Sequence, residues 1–165
     1  MSRKSGLFAA LLPDATFKIA SFGTGEVAKI LGVPIWRLQK FLDSPKYHLS
    51  PAGKLGEGLG SRRVFTREDV YRLALASRLV MDGFAAKFVG SLLEQIENLE
   101  LVDRLDEQGN EVPRGIALYR GSKRPRVELI DMRRQEKLGE KGAPYYVLNL
   151  DEVTKEIDGR ISKLN

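Results

Sequence analysis

Two short apolar stripes of helical spacing, broken by Gly32-Val33-Pro34, constrain this chain more than any other feature of it. The first begins at Thr24, a residue suited to cap a helix, and runs through Val27, Ile30 and Leu31. Gly32 stops it, since glycine reaches the left-handed backbone that ends a helix at little cost. Pro34 opens the second helix, where its missing N–H leaves no hydrogen bond unmade. That helix turns Leu38, Phe41 and Leu42 inward and carries Trp36, Arg37, Gln39 and Lys40 on its other faces. A helix-turn-helix needs a small residue where the helices approach, a glycine at the bend, and apolar residues that lock the second helix. Ala28, Gly32, Val33, Leu38 and Phe41 provide these. The second helix can then present polar side chains to a DNA major groove about 12 Å wide.

The rest of the chain changes character twice. From Ser44 to Ser61, Pro45, Pro51, Gly53, Gly56, Gly58 and Gly60 exclude a long helix and predict a loop or glycine-rich hairpin. Thr66 followed by Asp69 forms a capping box, opening a helix that continues through Val70, Leu73, Ala74, Ser77 and Val80 to Gly83. A further helix is expected from about Ala85 to Glu107, with Phe88, Leu92, Ile96 and Leu99 in its stripe and carboxylates on its other faces. Gly109-Asn110 ends the helical half. Strand-like runs follow at Gly115–Arg120, Val127–Met132 and Tyr145–Leu150, the first two as a hairpin. A closing helix begins near Asp151, with Val153, Ile157, Ile161 and Leu164 on one side.

Composition narrows the function. The chain has no cysteine and one histidine, His48, which excludes disulfides, cysteine–zinc sites, thiol nucleophiles and histidine metal clusters. No paired carboxylates, Ser/His/Asp set or phosphate-cradling glycine loop stands out, since Gly56 to Gly60 lacks the Lys-Ser/Thr ending of a P-loop. No enzymatic activity, catalytic residue, metal or cofactor is therefore expected. Residues 1–90 hold 14 Lys and Arg against 7 Asp and Glu, whereas residues 91–165 hold 13 against 15. The first half is the one that attracts an anion. No stretch approaches the ~20 apolar residues of a membrane-spanning helix. The run Leu7–Leu12 is cut by Pro13 and Asp14, so an N-terminal arm is expected rather than a signal peptide, and the location is cytoplasmic.

Three motifs in order resemble the MerR family of winged helix-turn-helix regulators. Gly25-Glu26-Val27-Ala28-Lys29-Ile30-Leu31-Gly32-Val33 is similar to that family's opening helix and turn. Arg63-Val64-Phe65-Thr66-Arg67-Glu68-Asp69-Val70 is similar to the end of its wing and its third helix, and Met81-Asp82-Gly83-Phe84 to the turn into its fourth. The resemblance covers about residues 22–96. It departs from the family where Gln39 and Lys40 precede Phe41 in place of an arginine and aromatic pair, so base preference does not transfer. The wing is longer and richer in glycine, the long helix is limited by Gly109, and metal sensing through cysteines is out.

The expected fold class is α+β: a winged helix-turn-helix of about four helices, a small three-stranded segment and a terminal helix. The expected division is an arm over 1–21, a DNA-binding domain over 22–108, and an interaction or dimerisation segment over 109–165. Arg37, Gln39 and Lys40 are the base-reading candidates, since Arg and Gln pair bidentately with guanine and adenine edges. Lys54, Arg62 and Arg63 on the wing suit phosphates, as do Thr24 at a helix N-terminus and His48 at the loop start. Trp36 either reaches DNA or packs under the wing, and a lone tryptophan more often packs. Phe88, Leu92, Ile96 and Leu99 either seat a partner helix in a homodimer or pack on the chain's own strands, and the two readings stand close to even. The basic tip around Arg120, Lys123, Arg124 and Arg126 is read as solvated. The leading expectation is a transcriptional regulator bound to double-stranded DNA. The alternatives are an architectural, recombination or DNA-packaging factor, and a module that captures a protein partner through its helix-turn-helix or its C-terminal segment.

Overall fold

The computed structural model describes residues 21–47, 53–55, 62–97, 106–120, 126–134, 142 and 144–164. The fold is α+β. In chain order it runs β1 (Phe22–Gly23), α1 (Thr24–Leu31), α2 (Ile35–Asp43), a 3-10 turn (Pro45–Tyr47), β2 (Gly53–Leu55), β3 (Arg62–Phe65), α3 (Arg67–Met81), α4 (Ala86–Glu97), β4 (Arg114–Tyr119), β5 (Arg126–Asp131), β6 (Tyr146–Asn149) and α5 (Leu150–Ile161). Two antiparallel three-stranded sheets have the orders β1-β3-β2 and β5-β4-β6.

Helix α3 holds the fold together. Its capping box forms as its sequence requires: the Thr66 hydroxyl accepts from the Asp69 N–H at 3.2 Å, and the Asp69 carboxylate accepts from the Thr66 N–H at 2.8 Å. Val70, Leu73 and Ala74 enter a core with Val27, Ile30, Leu38 and Phe65. Leu75, Ala76 and Leu79 enter a second core with Leu92, Ile96, Ile116, Leu118 and Leu148. Helix α5 repeats the arrangement, with Leu150 in the second core, Ile157 in the first, and Val153 against both. The expected boundary at 108/109 therefore has no counterpart in the packing. The chain returns after its second sheet and completes the core of its first half.

Polar contacts lock α5 in place. Tyr71 donates its hydroxyl to Asp158, whose carboxylate also accepts from Arg67 Nε at 2.9 Å. Arg160 Nη1 donates to the Ile30 carbonyl at 2.9 Å, joining α5 to the end of α1. Asn149 caps α5 by accepting from the N–H groups of Asp151 and Glu152 at 3.0 and 3.3 Å. Arg114, 7% exposed, sits 3.4 Å from Asp151 and ties β4 to the first turn of α5. Gly115 is needed beside it, because a Cβ there would lie 2.9 Å from the Leu148 carbonyl oxygen.

The expected end of the long helix, Glu107, is not helical, and residues 98–105 lie outside the described ones. Glu107 lies in a turn, where the Asp106 carboxylate accepts from the N–H groups of Asn110 and Gln108 and Gly109 adopts φ +81°. Those bonds, with Arg133 beside the group, hold the Asp106 carboxyl below the usual carboxylate range. The stripe on α4 faces its own sheet: Leu92 and Ile96 are buried among β4 and β6 residues, and Phe88 stacks on Phe84 at 5.0 Å. Leu92 and Ile96 are spent within the chain's own core, Phe88 is partly covered, and Leu99 lies outside the described residues. Leu164 falls beyond α5 and is exposed. Of the basic tip, Arg126 lies over the Tyr119 ring at 4.9 Å and pairs with Glu128, while residues 121–125 lie outside the described ones.

Truncating Leu92 to alanine in the fully buried part of α4 is expected to cost about 2–5 kcal/mol in a denaturant titration. A second expectation concerns alkaline pH. Burial, the hydrogen bond to Asp158 and its negative charge push the Tyr71 phenol up to about 12 from an ordinary value of 10.0. The unfolded chain loses this proton first, so stability holds below pH 10 and falls as pH rises from 10 toward about 12. Tyr146, also raised by burial and by Asp82, adds to the same loss. Tyr71→Phe should flatten the alkaline fall in melting temperature, and an unchanged slope would count against the assignment.

Candidate functional site

The surface formed by α2 and the β2–β3 hairpin is set by its local sequence. The N–H of Gly23 donates to Glu26 Oε2 at 2.7 Å at the start of α1. Gly23 caps the helix and Thr24 is its first residue, so the cap falls one position earlier than expected, because Gly23 is held extended by pairing with Val64. At the far end, Gly32 takes φ +66°, its N–H reaches the Lys29 carbonyl at 3.1 Å, and the Val33 N–H reaches the Ala28 carbonyl at 3.0 Å. This paired closure is the Schellman motif, and it fixes the direction in which the chain leaves α1. Pro34 then caps α2, its carbonyl accepting from the N–H groups of Arg37 and Leu38.

Helix α2 has one face inside and one outside. Leu38 and Phe41 are buried, and the Phe41 ring meets Tyr47 of the 3-10 turn at 4.8 Å. Trp36, Gln39, Lys40 and Asp43 recur at the i, i+3, i+4, i+7 spacing of a single helix face, and all four are exposed. Trp36 is 65% exposed, so the expectation that it packs is corrected: its position on the stripe opposite Leu38 and Phe41 leaves it no core to enter. Arg37 sits differently. It shares a stripe with Phe41, is half-buried, and lines a cleft against α3 and α5 instead of joining Gln39 and Lys40.

The hairpin stands beside the C-terminal end of α2. Residues 53–55 pair with 62–64, with Lys54 opposite Arg63 and Leu55 opposite Arg62. Arg63 Nη2 donates to Asp43 Oδ1 at 2.6 Å. Arg63 thus ties the hairpin to α2, a role the spacing of 20 residues did not reveal. The pair is solvent-facing, with side chains 33% and 62% exposed, and pairs of this kind contribute about 0–1 kcal/mol. Its value lies in position. The buried Phe65 ring, next to it on β3, carries the packing. His48 lies outside the described residues. Lys46, exposed at the 3-10 turn, and Ile35, 50% exposed at the start of α2, join this surface without having been singled out in the sequence.

No protein-family model matches the chain, and no curated protein matches it. Among the described residues, no helix is long and apolar enough to cross a membrane.

Since Trp36 carries little of the packing, Trp36→Ala should change stability by no more than about 0.5 kcal/mol. A denaturation curve shifted by several times that amount would mean that the ring is covered in solution.

Proposed function

We propose that this protein binds double-stranded DNA through α2 and the β2–β3 hairpin, as a winged helix-turn-helix of the MerR type, and acts as a cytoplasmic transcriptional regulator. The observation that carries this reading is the uncovered face of α2, bearing Trp36, Gln39 and Lys40, with a hairpin hung beside it by the Arg63–Asp43 pair. A helix with its side chains is about 10–12 Å across, which matches a major groove about 12 Å wide. In that pose Gln39 pairs with an adenine edge, Lys40 meets a guanine or a phosphate, and Trp36 supplies apolar contact. Lys54, Arg62 and Arg63 follow the backbone and set register without reading sequence. Thr24, in the first turn of α1, offers its hydroxyl to a phosphate at a helix end that favours anions.

A second reading rests on Ile35 and Trp36, which are 50% and 65% exposed at the start of α2. Adjacent exposed apolar side chains suit a protein partner as well as a groove. Ionic strength separates the two. Binding to DNA releases condensed cations, so log affinity for a random duplex should fall steeply with log salt. Lys40→Ala should lower that slope by about one unit, while Gln39→Ala should leave the slope and reduce discrimination between duplex sequences. Absence of binding at low salt, or binding unaffected by Lys40→Ala, would overturn the DNA reading of this face.

A further inference from the structure

Beside the exposed face of α2, about a third of a turn round the helix, lies a cleft of about 370 Å³ lined by the Gly32-Val33 turn, α2, α3 and α5. Its charged walls are Arg37 from α2, Arg78 from α3, and Arg160 and Glu156 from α5. Three arginines and one glutamate thus line it. Arg160 is fixed, with Nη1 on the Ile30 carbonyl at 2.9 Å and Nη2 on Glu156 Oε1 at 2.5 Å. Arg78 is held only loosely, its Nε 3.4 Å from Asp82, a carboxylate that also receives the Tyr146 hydroxyl. Arg37 is half-buried and has no hydrogen-bond or ion-pair partner for its guanidinium among the described residues. Its guanidinium donors are therefore available to an oxyanion brought into the cleft.

The floor is apolar, formed by Ala74, Val153 and Ile157. The volume falls in the range of small-molecule sites, about 300–1,000 Å³. We infer that the cleft binds a small organic anion, a carboxylate or phosphate monoester on an apolar body, held by Arg37 and Arg78 with Arg160 as a fixed third donor. The planar guanidinium fork matches both kinds of oxyanion bidentately. An apolar body on the floor would separate such a ligand from inorganic phosphate. The ligand would touch α2, α3 and α5 together. It would therefore stabilise the folded chain in proportion to its occupancy. This inference does not rest on DNA binding, because none of its groups belongs to the exposed face of α2.

Phenyl phosphate is the probe, titrated at constant ionic strength against inorganic phosphate and sodium chloride. The readouts are the melting temperature and the NMR signals of the arginine Nε–H groups. Phenyl phosphate should give a saturable rise in melting temperature, larger than that of inorganic phosphate, and should move the Arg37, Arg78 and Arg160 signals. Arg37→Ala and Arg78→Ala should each weaken binding about tenfold or more, since each removes a charged hydrogen-bond donor. Glu156→Gln should tighten it by removing the competing carboxylate. Three results would overturn the inference: no saturation beyond the chloride control, wild-type affinity in both arginine variants, or Arg37 and Arg78 signals that respond to duplex DNA and not to phenyl phosphate.

Discussion

The two-sided burial of α3 is the constraint on which the rest of the structure depends, because neither core closes without it. Val70, Leu73 and Ala74 serve one core while Leu75, Ala76 and Leu79 serve the other. A helix apolar on so much of its circumference cannot stand at a surface, so it draws cover from both halves of the chain. The second sheet and α4 cover one side. On the other, α1 and α2 need a further layer, which α5 supplies through Ile157 and the contacts of Asp158 with Tyr71 and Arg67. Residues from both halves of the chain thus share each core.

That interlock explains how α2 comes to have an inner and an outer side of different character. Its inner stripe, Leu38 and Phe41, is fixed in the first core, and its outer stripe is left bare. Between the two, Arg37 faces α3 and α5, which exist as neighbours only because the C-terminal helix returns to the N-terminal half. The surface proposed for DNA and the cleft proposed for a small anion are thus separated by about a third of a turn of one helix. A ligand in the cleft would bear on the same element that the exposed face uses.

Much of the architecture was legible in the sequence because its signals are local. The Thr66–Asp69 capping box, the Gly32 stop and the strand runs around 115–120, 127–132 and 145–150 all form within a residue or so of where spacing puts them. Helical periodicity also identified Gln39 and Lys40 as exposed. At Trp36 residue type argued for burial while stripe position argued for exposure, and position prevailed. At Glu107 the expected helix gives way to a turn, in which the Asp106 carboxylate accepts from the N–H groups of Gln108 and Asn110. The α4 stripe shows the same limit: periodicity reveals that a face is apolar but not which surface covers it.

The sequence by itself determined most of the elements and the inward and outward stripes of α2, because capping, glycine conformation and periodicity act over a few residues. Only the tertiary structure decided that the α4 stripe is spent on the chain's own sheet, that α5 crosses back onto α1 and α3, and that Arg63 is tethered by Asp43. It alone brought Arg37, Arg78 and Arg160 to one cleft. Those outcomes join residues from 20 to 130 positions apart. At such separations the deciding quantity is the burial and pairing available when whole elements meet, which no local pattern encodes.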